Sequence, residues 1–182
     1  YESDRGPTKP YAGGLLFGVE AHTFLSSGSL TILGEAVATS PWLYNRSTPP
    51  YQLNVRRIWS FTTEGTEYVT TPIGYYAGPD TIVQFYQVSY DLPDTLSAAL
   101  FFKVHTAGEI EMTDTYDPVP GQTTPTGIAE HRLVVGMRGE FQPFPHVSVG
   151  ADLRTSFFIN YRHISGNSRT DIEAALWCSL EL

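Results

Sequence analysis

The segment PIGYYAGPD, residues 72–80, places two tyrosines, two glycines and two prolines ahead of a carboxylate. Its glycines and prolines predict a loop that presents Tyr75, Tyr76 and Asp80. A tyrosine has an apolar ring face and a polar hydroxyl, which suit the mixed CH and OH surface of a sugar, and a nearby carboxylate can accept sugar hydroxyl protons. These residue types predict carbohydrate binding. The alternative is that the tyrosines only pack the loop in place.

A second aromatic segment, SPWLYNRSTPPYQ at residues 40–52, carries Trp42, Tyr44 and Arg46. These three residues are also candidates for contact with a polysaccharide. The alternative is a membrane-interface anchor, because tryptophan and tyrosine are enriched where a bilayer meets water.

Catalytic and metal-binding readings have little support in the sequence. Five histidines are scattered along the chain, and no GxSxG, HExxH or phosphate-binding loop is present. The single cysteine, Cys178, excludes an internal disulfide and a cysteine metal cluster. The net charge of −8 and the absence of a basic run argue against a nucleic-acid partner. We therefore expect no enzyme activity, no cofactor and no metal site.

The elements that position these loops are β-strands. The stretch VSVGADLRTSFFINYR, residues 147–162, alternates apolar and polar residues almost without a break, which is the period of a strand with two different faces. The same alternation predicts nine strands and no helix, and no apolar run reaches the roughly 18 residues of a membrane helix. The predicted strands are residues 15–25, 30–39, 53–63, 66–71, 82–92, 96–112, 133–141, 147–162 and 171–182.

The predicted connections alternate in length. Short turns at 26–29, 64–65, 93–95 and 142–146 alternate with long loops at 40–52, 72–80, 113–126 and 163–170. The short turns pair Leu25 with Leu30, Phe61 with Tyr68, and Phe141 with Val147, apolar with apolar. We expect the long loops on one rim and the short turns on the other.

Long alternating strands joined in this way are typical of an antiparallel, up-and-down transmembrane β-barrel of the bacterial outer membrane, in contact with lipid. The alternative is a soluble β-sandwich. Nine strands is an odd number, whereas single-chain bacterial barrels have an even number. We therefore expect residues 1–12 to be the remnant of an outer loop and residues 13–182 to be the C-terminal half of a larger barrel, with the N-terminal half as its missing partner.

The half-barrel pattern, with PIGYYAGPD before a tyrosine-rich strand, resembles the capsule-assembly Wzi family. The resemblance implies an outer-membrane barrel of about eighteen strands that is not an enzyme and that holds capsular polysaccharide at the cell surface in a lectin-like way. Two other functions remain open: a porin or transport barrel, and a soluble carbohydrate-binding β-sandwich. Phe101, Phe158 and Trp177 are expected to point inward, which favours a filled interior over an open channel.

Two further expectations follow from the predicted register. Cys178 should lie on the apolar side of its strand, between Leu176 and Leu180. Glu20 should stand directly opposite Glu35 on the interior face, where two like charges destabilise a sheet unless a cation lies nearby. The expected cation is Arg56, because its position in the alternation also points inward.

Overall fold

The computed structural model describes residues 12–43, 54–62, 65–72, 75–112, 114, 117, 119, 121–144 and 146–180, with the backbone alone for 54–62 and 65–72. Within these ranges the chain is all β. The strands are β1 (Gly14–Phe24), β2 (Ser29–Thr39), β3 (Asn54–Thr62), β4 (Gly65–Pro72), β5 (Thr81–Leu92), β6 (Leu96–Ala107), β7 (Glu130–Phe144), β8 (Val147–Ile159) and β9 (Ser168–Leu180). One tight turn covers Tyr161–His163. None of the described segments is a helix long and apolar enough to cross a membrane.

Seven of the strands form one open sheet in the order β1-β2-β5-β6-β7-β8-β9. Strands that follow one another in this order are hydrogen-bonded neighbours, and the sheet is antiparallel and up-and-down. β1 and β9 form its two edges. This arrangement confirms the prediction of an all-β, up-and-down antiparallel fold.

β3 and β4 form a second, two-stranded sheet and pair only with each other among the described strands. The prediction that nine strands follow one another in a single sheet is therefore wrong, because β2 pairs directly with β5. The predicted pairing of Phe61 with Tyr68 is also wrong: Phe61 pairs with Thr66, and a bulge follows Ile58, which pairs with Tyr68. Arg56 lies in β3, and its side chain is outside the part of the structure that is described.

The connections alternate in length as expected, with one exception. Short turns join β1 to β2, β5 to β6 and β7 to β8. Residues 40–80, 108–129 and 160–167 join the strand ends at the opposite end of the sheet. The predicted short turn at 64–65 does not belong to this series, because it lies at the tip of the β3–β4 hairpin.

The turn between β1 and β2 is tighter than predicted. The backbone N–H of Leu25 donates to the carbonyl of Gly28 at 2.8 Å, so Leu25 closes the turn with Gly28 and not with Leu30. This correction shifts the register by two residues. Glu20 and Glu35 still share one face, because directly opposed residues of an antiparallel pair point the same way, but they do not stand directly opposite each other.

The turn between β7 and β8 also differs from the prediction. Phe141 pairs with Val149, and Phe144 pairs with Val147, with an irregularity between the two pairs. The predicted pairing of Phe141 with Val147 is therefore wrong, although both residues still lie on the same face. β7 has one residue more than β8 between these two pairs, as in a β-bulge, in which two residues of one strand oppose one residue of the other.

The two faces of the sheet have opposite compositions. Across β7, β8 and β9, Met137 pairs with Leu153, which pairs with Ala174. The next set of paired residues along these strands, which is Gly136, Arg154 and Glu173, points to the opposite side of the sheet. We call the first side the apolar face and the second the polar face. Large hydrophobic residues of the apolar face are each 40–85% exposed: Leu15, Phe17, Val19, Ile32, Tyr86, Val88, Leu100, Phe102, Val135, Met137, Phe141, Val149, Leu153, Phe157, Ile159, Ile172, Leu176 and Leu180.

The apolar face continues through the central strands. Val88 of β5, Leu100 of β6, Met137 of β7 and Leu153 of β8 line one shallow depression on it. Cys178 pairs with Val149 at the β9 edge and is exposed there. The prediction that Cys178 lies on the apolar side is therefore confirmed.

Glycines on the polar face make room for aromatic rings. A Cβ added to Gly136 would lie 2.2 Å from Cζ of Phe101, and one added to Gly150 would lie 2.2 Å from Cε2 of Trp177. Both rings therefore lie against bare backbone of the neighbouring strand, a position that only glycine permits. The prediction that Phe101 and Trp177 belong to the polar side is confirmed.

Guanidinium groups cover these rings in turn. The Cζ of Arg154 lies 5.7 Å from the ring centroid of Phe101, and that of Arg138 lies 5.3 Å from the ring centroid of Trp177. Arg154 also makes a 2.7 Å ion pair with Asp152. On the polar face, each of these two aromatic rings therefore lies between a glycine of the neighbouring strand and a guanidinium group.

The chain divides into two compact units. One comprises residues 1–15, 38–82 and 107–129, and we call it the loop unit; the other comprises residues 16–37, 83–106 and 130–182, and contains most of the sheet. The tyrosine-rich segment and the described part of the tryptophan segment belong to the loop unit.

Candidate functional site

Asp80 is the centre of the loop unit. Its side chain is 0% exposed, and its carboxylate accepts hydrogen bonds from the backbone N–H and the hydroxyl of Thr126 and from the N–H of Ile110 at 3.4 Å. The backbone N–H of Asp80 donates to Ser40 O at 3.1 Å, and its carbonyl accepts from Gly108 N at 2.8 Å. Asp80 therefore ties together three segments that are distant in sequence.

Asp80 is buried, whereas a residue that binds a sugar is expected to be exposed. The sequence predicts a carboxylate that accepts sugar hydroxyl protons, but the structure encloses this carboxylate and directs its hydrogen bonds to the chain itself. Burying a carboxylate is costly unless hydrogen bonds compensate. The bonds from Thr126 and Ile110 provide that compensation and hold the loops.

A second polar contact in the loop unit joins Thr39 and Thr81, each 2% exposed. The hydroxyl of Thr39 donates to Gly78 O at 3.0 Å and accepts from the backbone N–H of Thr81 at 3.0 Å. The hydroxyl of Thr124 donates to Thr39 O at 2.7 Å. Hence buried hydrogen bonds join the end of β2 to the start of β5, and a part-buried one adds the segment around Thr124. Buried hydrogen bonds are more costly to break than exposed ones.

Trp42 is also an internal residue of the loop unit. It is 5% exposed, and its indole N–H donates to Oε1 of Gln122 at 2.8 Å. The same oxygen accepts from the backbone N–H of Val119 at 3.1 Å. A buried tryptophan usually has such a partner for its N–H. Trp42 therefore braces the loops from within, and its ring is largely covered.

The tyrosine pair differs from Trp42 and Asp80 in its exposure. The ring centroids of Tyr75 and Tyr76 lie 4.8 Å apart with an interplanar angle of 50°. Tyr76 is 60% exposed, whereas Tyr75 is half-buried. Of the predicted sugar-contacting residues that are described, Tyr76 is the one with a largely exposed ring. Tyr44 and Arg46 lie outside the described residues.

The residues that hold these side chains were not identified from the sequence. Gln122, Thr124 and Thr126 lie in a segment whose composition indicates only a loop, and their partners are 46 to 85 residues away in sequence. No local periodicity encodes such contacts. A clue was the threonine-rich composition of the segment QTTPTG at 122–127, because threonine hydroxyls often bond backbone groups in loops.

Two of the described histidines contact threonines on another strand. Nδ1 of His22 lies 2.9 Å from Oγ1 of Thr31, and Nδ1 of His131 lies 3.0 Å from Oγ1 of Thr106. Over the described residues, no group of three or more histidine, cysteine, aspartate and glutamate side chains has the spacing of a metal site. These contacts do not assemble a nucleophile with a base and an orienting carboxylate.

Comparisons with known proteins do not assign the chain to a family. No family model matches it, no curated protein matches it in sequence, and no solved structure matches it. The resemblance to the capsule-assembly Wzi family therefore stays a prediction.

Proposed function

We propose that the seven-stranded sheet forms part of the wall of a bacterial outer-membrane β-barrel, and that its loops bind surface polysaccharide without enzymatic activity. The observation that carries the membrane part is the exposed apolar face. Soluble monomeric proteins rarely expose contiguous apolar patches of more than a few hundred Å². Here large hydrophobic side chains are 40–85% exposed on all seven strands of the sheet.

Strand length supports the same proposal. A membrane-crossing strand needs about 9–11 residues, and the strands of the sheet run from 11 residues in β1 to 15 in β7. The alternation of apolar and charged residues on opposite faces is the pattern of a barrel wall between lipid and an aqueous interior.

A soluble β-sandwich would need a second sheet to cover the apolar face. Among the described residues, the other sheet has two strands, of nine and eight residues. A hairpin of that size is too small to cover seven strands of 11 to 15 residues. Lipid is the cover that matches the extent of this face.

The polysaccharide part of the proposal draws on Tyr76 and on the resemblance to the Wzi family. Tyr76 presents an exposed ring beside Tyr75. The hydrogen bonds of Asp80 hold the end of the same segment. An aromatic ring on a braced loop can bind a sugar face without first becoming ordered, which reduces the entropic cost of binding.

A thiol-labelling experiment tests the membrane part. The purified protein is reconstituted in phosphatidylcholine vesicles and treated with a membrane-impermeant maleimide. The matched variant carries Cys178→Ser together with Ser179→Cys, which moves the thiol by one residue to the polar face. We expect the native Cys178 to react at least about tenfold more slowly than the thiol of the variant, because lipid excludes the charged reagent and the ionised thiolate.

Denaturant supplies the reference rate, since both proteins should label equally once unfolded. If Cys178 of the folded protein in vesicles reacts as fast as the thiol at position 179, its face is in water and the membrane proposal fails.

A further inference from the structure

Three arginines and two aromatic rings meet at one end of strands β7, β8 and β9. Arg132 of β7 pairs with Phe158 of β8, which pairs with Arg169 of β9. Tyr161 and Arg162 follow in the turn after β8. We call these five residues the arginine–aromatic cluster. Arg132, Phe158 and Arg169 lie on the polar face. The adjacent pair, Leu133 and Phe157, points to the apolar face, and consecutive residues of a strand point to opposite faces.

The two rings are surrounded by guanidinium groups. The ring centroids of Phe158 and Tyr161 lie 5.2 Å apart with an interplanar angle of 75°. Cζ of Arg132 lies 5.0 Å from the Phe158 centroid. Cζ of Arg169 and of Arg162 lie 5.1 Å and 5.4 Å from the Tyr161 centroid. These distances are within the range of cation–π attraction.

The cluster has more positive than negative charge, although the chain has a net charge of −8. Among the described residues, two carboxylates make hydrogen bonds to its arginines. Glu130 accepts the backbone N–H of Arg162 at 2.6 Å, and Asp171 accepts Nε of Arg169 at 2.7 Å. Arg169 keeps 49% of its side chain exposed, and Arg162 is exposed. The cluster therefore presents cationic donors to solvent beside aromatic rings.

The turn that carries Tyr161 and Arg162 is held in a costly conformation. Asn160, Arg162 and His163 have φ values of 56°, 58° and 57°, which non-glycine residues rarely adopt. Tyr161 N donates to Asn167 O at 2.9 Å, and the Asn167 amide donates to Tyr161 O at 3.1 Å. Backbone strain that the surroundings maintain is concentrated at functional sites. Here it fixes the position of the Tyr161 ring and of the Arg162 side chain.

From this geometry we infer that the arginine–aromatic cluster binds a carboxylated sugar residue of an acidic polysaccharide. A guanidinium offers a planar pair of donors that matches a carboxylate, and the adjacent ring faces suit sugar CH groups. The inference rests on the proposed polysaccharide binding and narrows it to uronate-containing chains. A neutral chain would offer no carboxylate to the guanidinium groups of Arg162 and Arg169.

Binding of trigalacturonate tests the inference, with its methyl ester as the matched neutral probe. Affinity is measured by calorimetry on the full chain reconstituted in phosphatidylcholine vesicles at fixed ionic strength. We expect the acid to bind roughly tenfold or more tightly than the ester, because hydrogen bonds to charged groups contribute more than neutral ones. Arg162→Gln and Arg169→Gln should each remove most of that difference.

Arg154→Gln is the control variant. Arg154 also stacks on an aromatic ring and also pairs with an aspartate two residues away at 2.7 Å, but it lies outside the cluster. The Arg154→Gln variant should bind trigalacturonate as the wild type does. Tyr161→Phe keeps the ring and removes the hydroxyl that accepts from Nη1 of Arg169 at 2.8 Å, so its affinity should fall between those of the wild type and Arg169→Gln.

Three results would overturn the inference: equal affinity for acid and ester, wild-type affinity in both Arg162→Gln and Arg169→Gln, or no binding of trigalacturonate. Equal binding of acid and ester would leave polysaccharide binding in place and remove only its acidic specificity. The membrane proposal is decided separately by the labelling of Cys178.

Discussion

The two faces of the same strands differ in both chemistry and exposure. On the apolar face, Leu176 is 85% exposed and Leu100 is 63% exposed, whereas on the polar face Val134 and Ser156 are buried. In a soluble sheet the apolar face is the covered one. In this sheet the apolar face is the exposed one, and the polar face is covered in part by its own side chains.

The polar face obtains that cover from its own side chains. Phe101 and Trp177 lie on glycines, and Arg154 and Arg138 lie over those rings. The long stems of arginine can cover apolar surface while the charged group remains near water. The apolar face has no such layers, and its side chains project outward. The comparison between the faces can be tested by making the same change on both.

Adding an arginine to each face should give the largest difference. Leu176 and Ala175 are neighbours on β9 that point to opposite faces, and Ala175 pairs with Asp152. We expect Leu176→Arg to lower the free energy of unfolding in phospholipid vesicles by about 2–4 kcal/mol, because an arginine on the lipid side of a barrel is costly near the bilayer centre. Ala175→Arg should change it by less than about 1 kcal/mol, since a carboxylate faces it.

Denaturant titration of the two variants in the same vesicles measures both values. A surface substitution in water typically changes stability by no more than about 0.5 kcal/mol. A change of that small size for Leu176→Arg would therefore contradict a lipid-facing apolar face.

Enlarging a glycine on each face should give a smaller difference. Gly150→Val would force a side chain into Trp177, and overpacking of this kind costs about 1–3 kcal/mol. A Cβ on Gly139, on the apolar face, would meet nothing closer than Ser97 O at 3.8 Å, so Gly139→Val should be nearly neutral. The free energies of unfolding of both variants give the comparison.

The Trp177→Ala background separates packing from backbone effects. If the cost of Gly150→Val arises from the ring, it should fall in the double variant. An unchanged cost would mean that Gly150 is needed for its backbone conformation and not for the space it leaves.

The smallest effect should come from a hydrogen bond on the polar face. The hydroxyls of Ser148 and Ser179 lie 2.7 Å apart on opposed strands. Ser179→Ala should lower stability by about 0.5 kcal/mol, at the low end for a hydrogen bond because water can replace the partner. In a double-mutant cycle, adding Ser148→Ala should cost almost nothing more. Additive losses would show that the two hydroxyls act independently.

The sequence alone was sufficient for the faces of the strands. Alternation depends only on the two-residue period of the backbone, so it placed Cys178, Phe101 and Trp177 correctly. It was not sufficient for the partners of each strand. β3 has an alternation like that of the sheet strands, interrupted at Arg57, but pairs only with β4 among the described strands. A periodic pattern contains no information about the neighbour of a strand.

The loops were less predictable for a different reason. Tyr76 is exposed as a binding residue should be, but Trp42 and Asp80 are buried. Their residue types suit a surface contact and an internal brace equally well. The choice between these roles depends on Gln122 and Thr126, which are 80 and 46 residues away in sequence. Only the folded chain brings such residues together.

The pairing of β2 with β5 has a consequence for how this chain can change over evolutionary time. The hydrogen-bonded ladder from β1 to β9 runs without β3 and β4, so the hairpin lies within one connection between neighbouring strands. Insertions at such connections are tolerated because they leave the backbone pairing of the framework intact. Residues 54–72 can therefore be lengthened, shortened or exchanged while the seven-stranded framework keeps its register, which makes the hairpin the natural place for related chains to diversify.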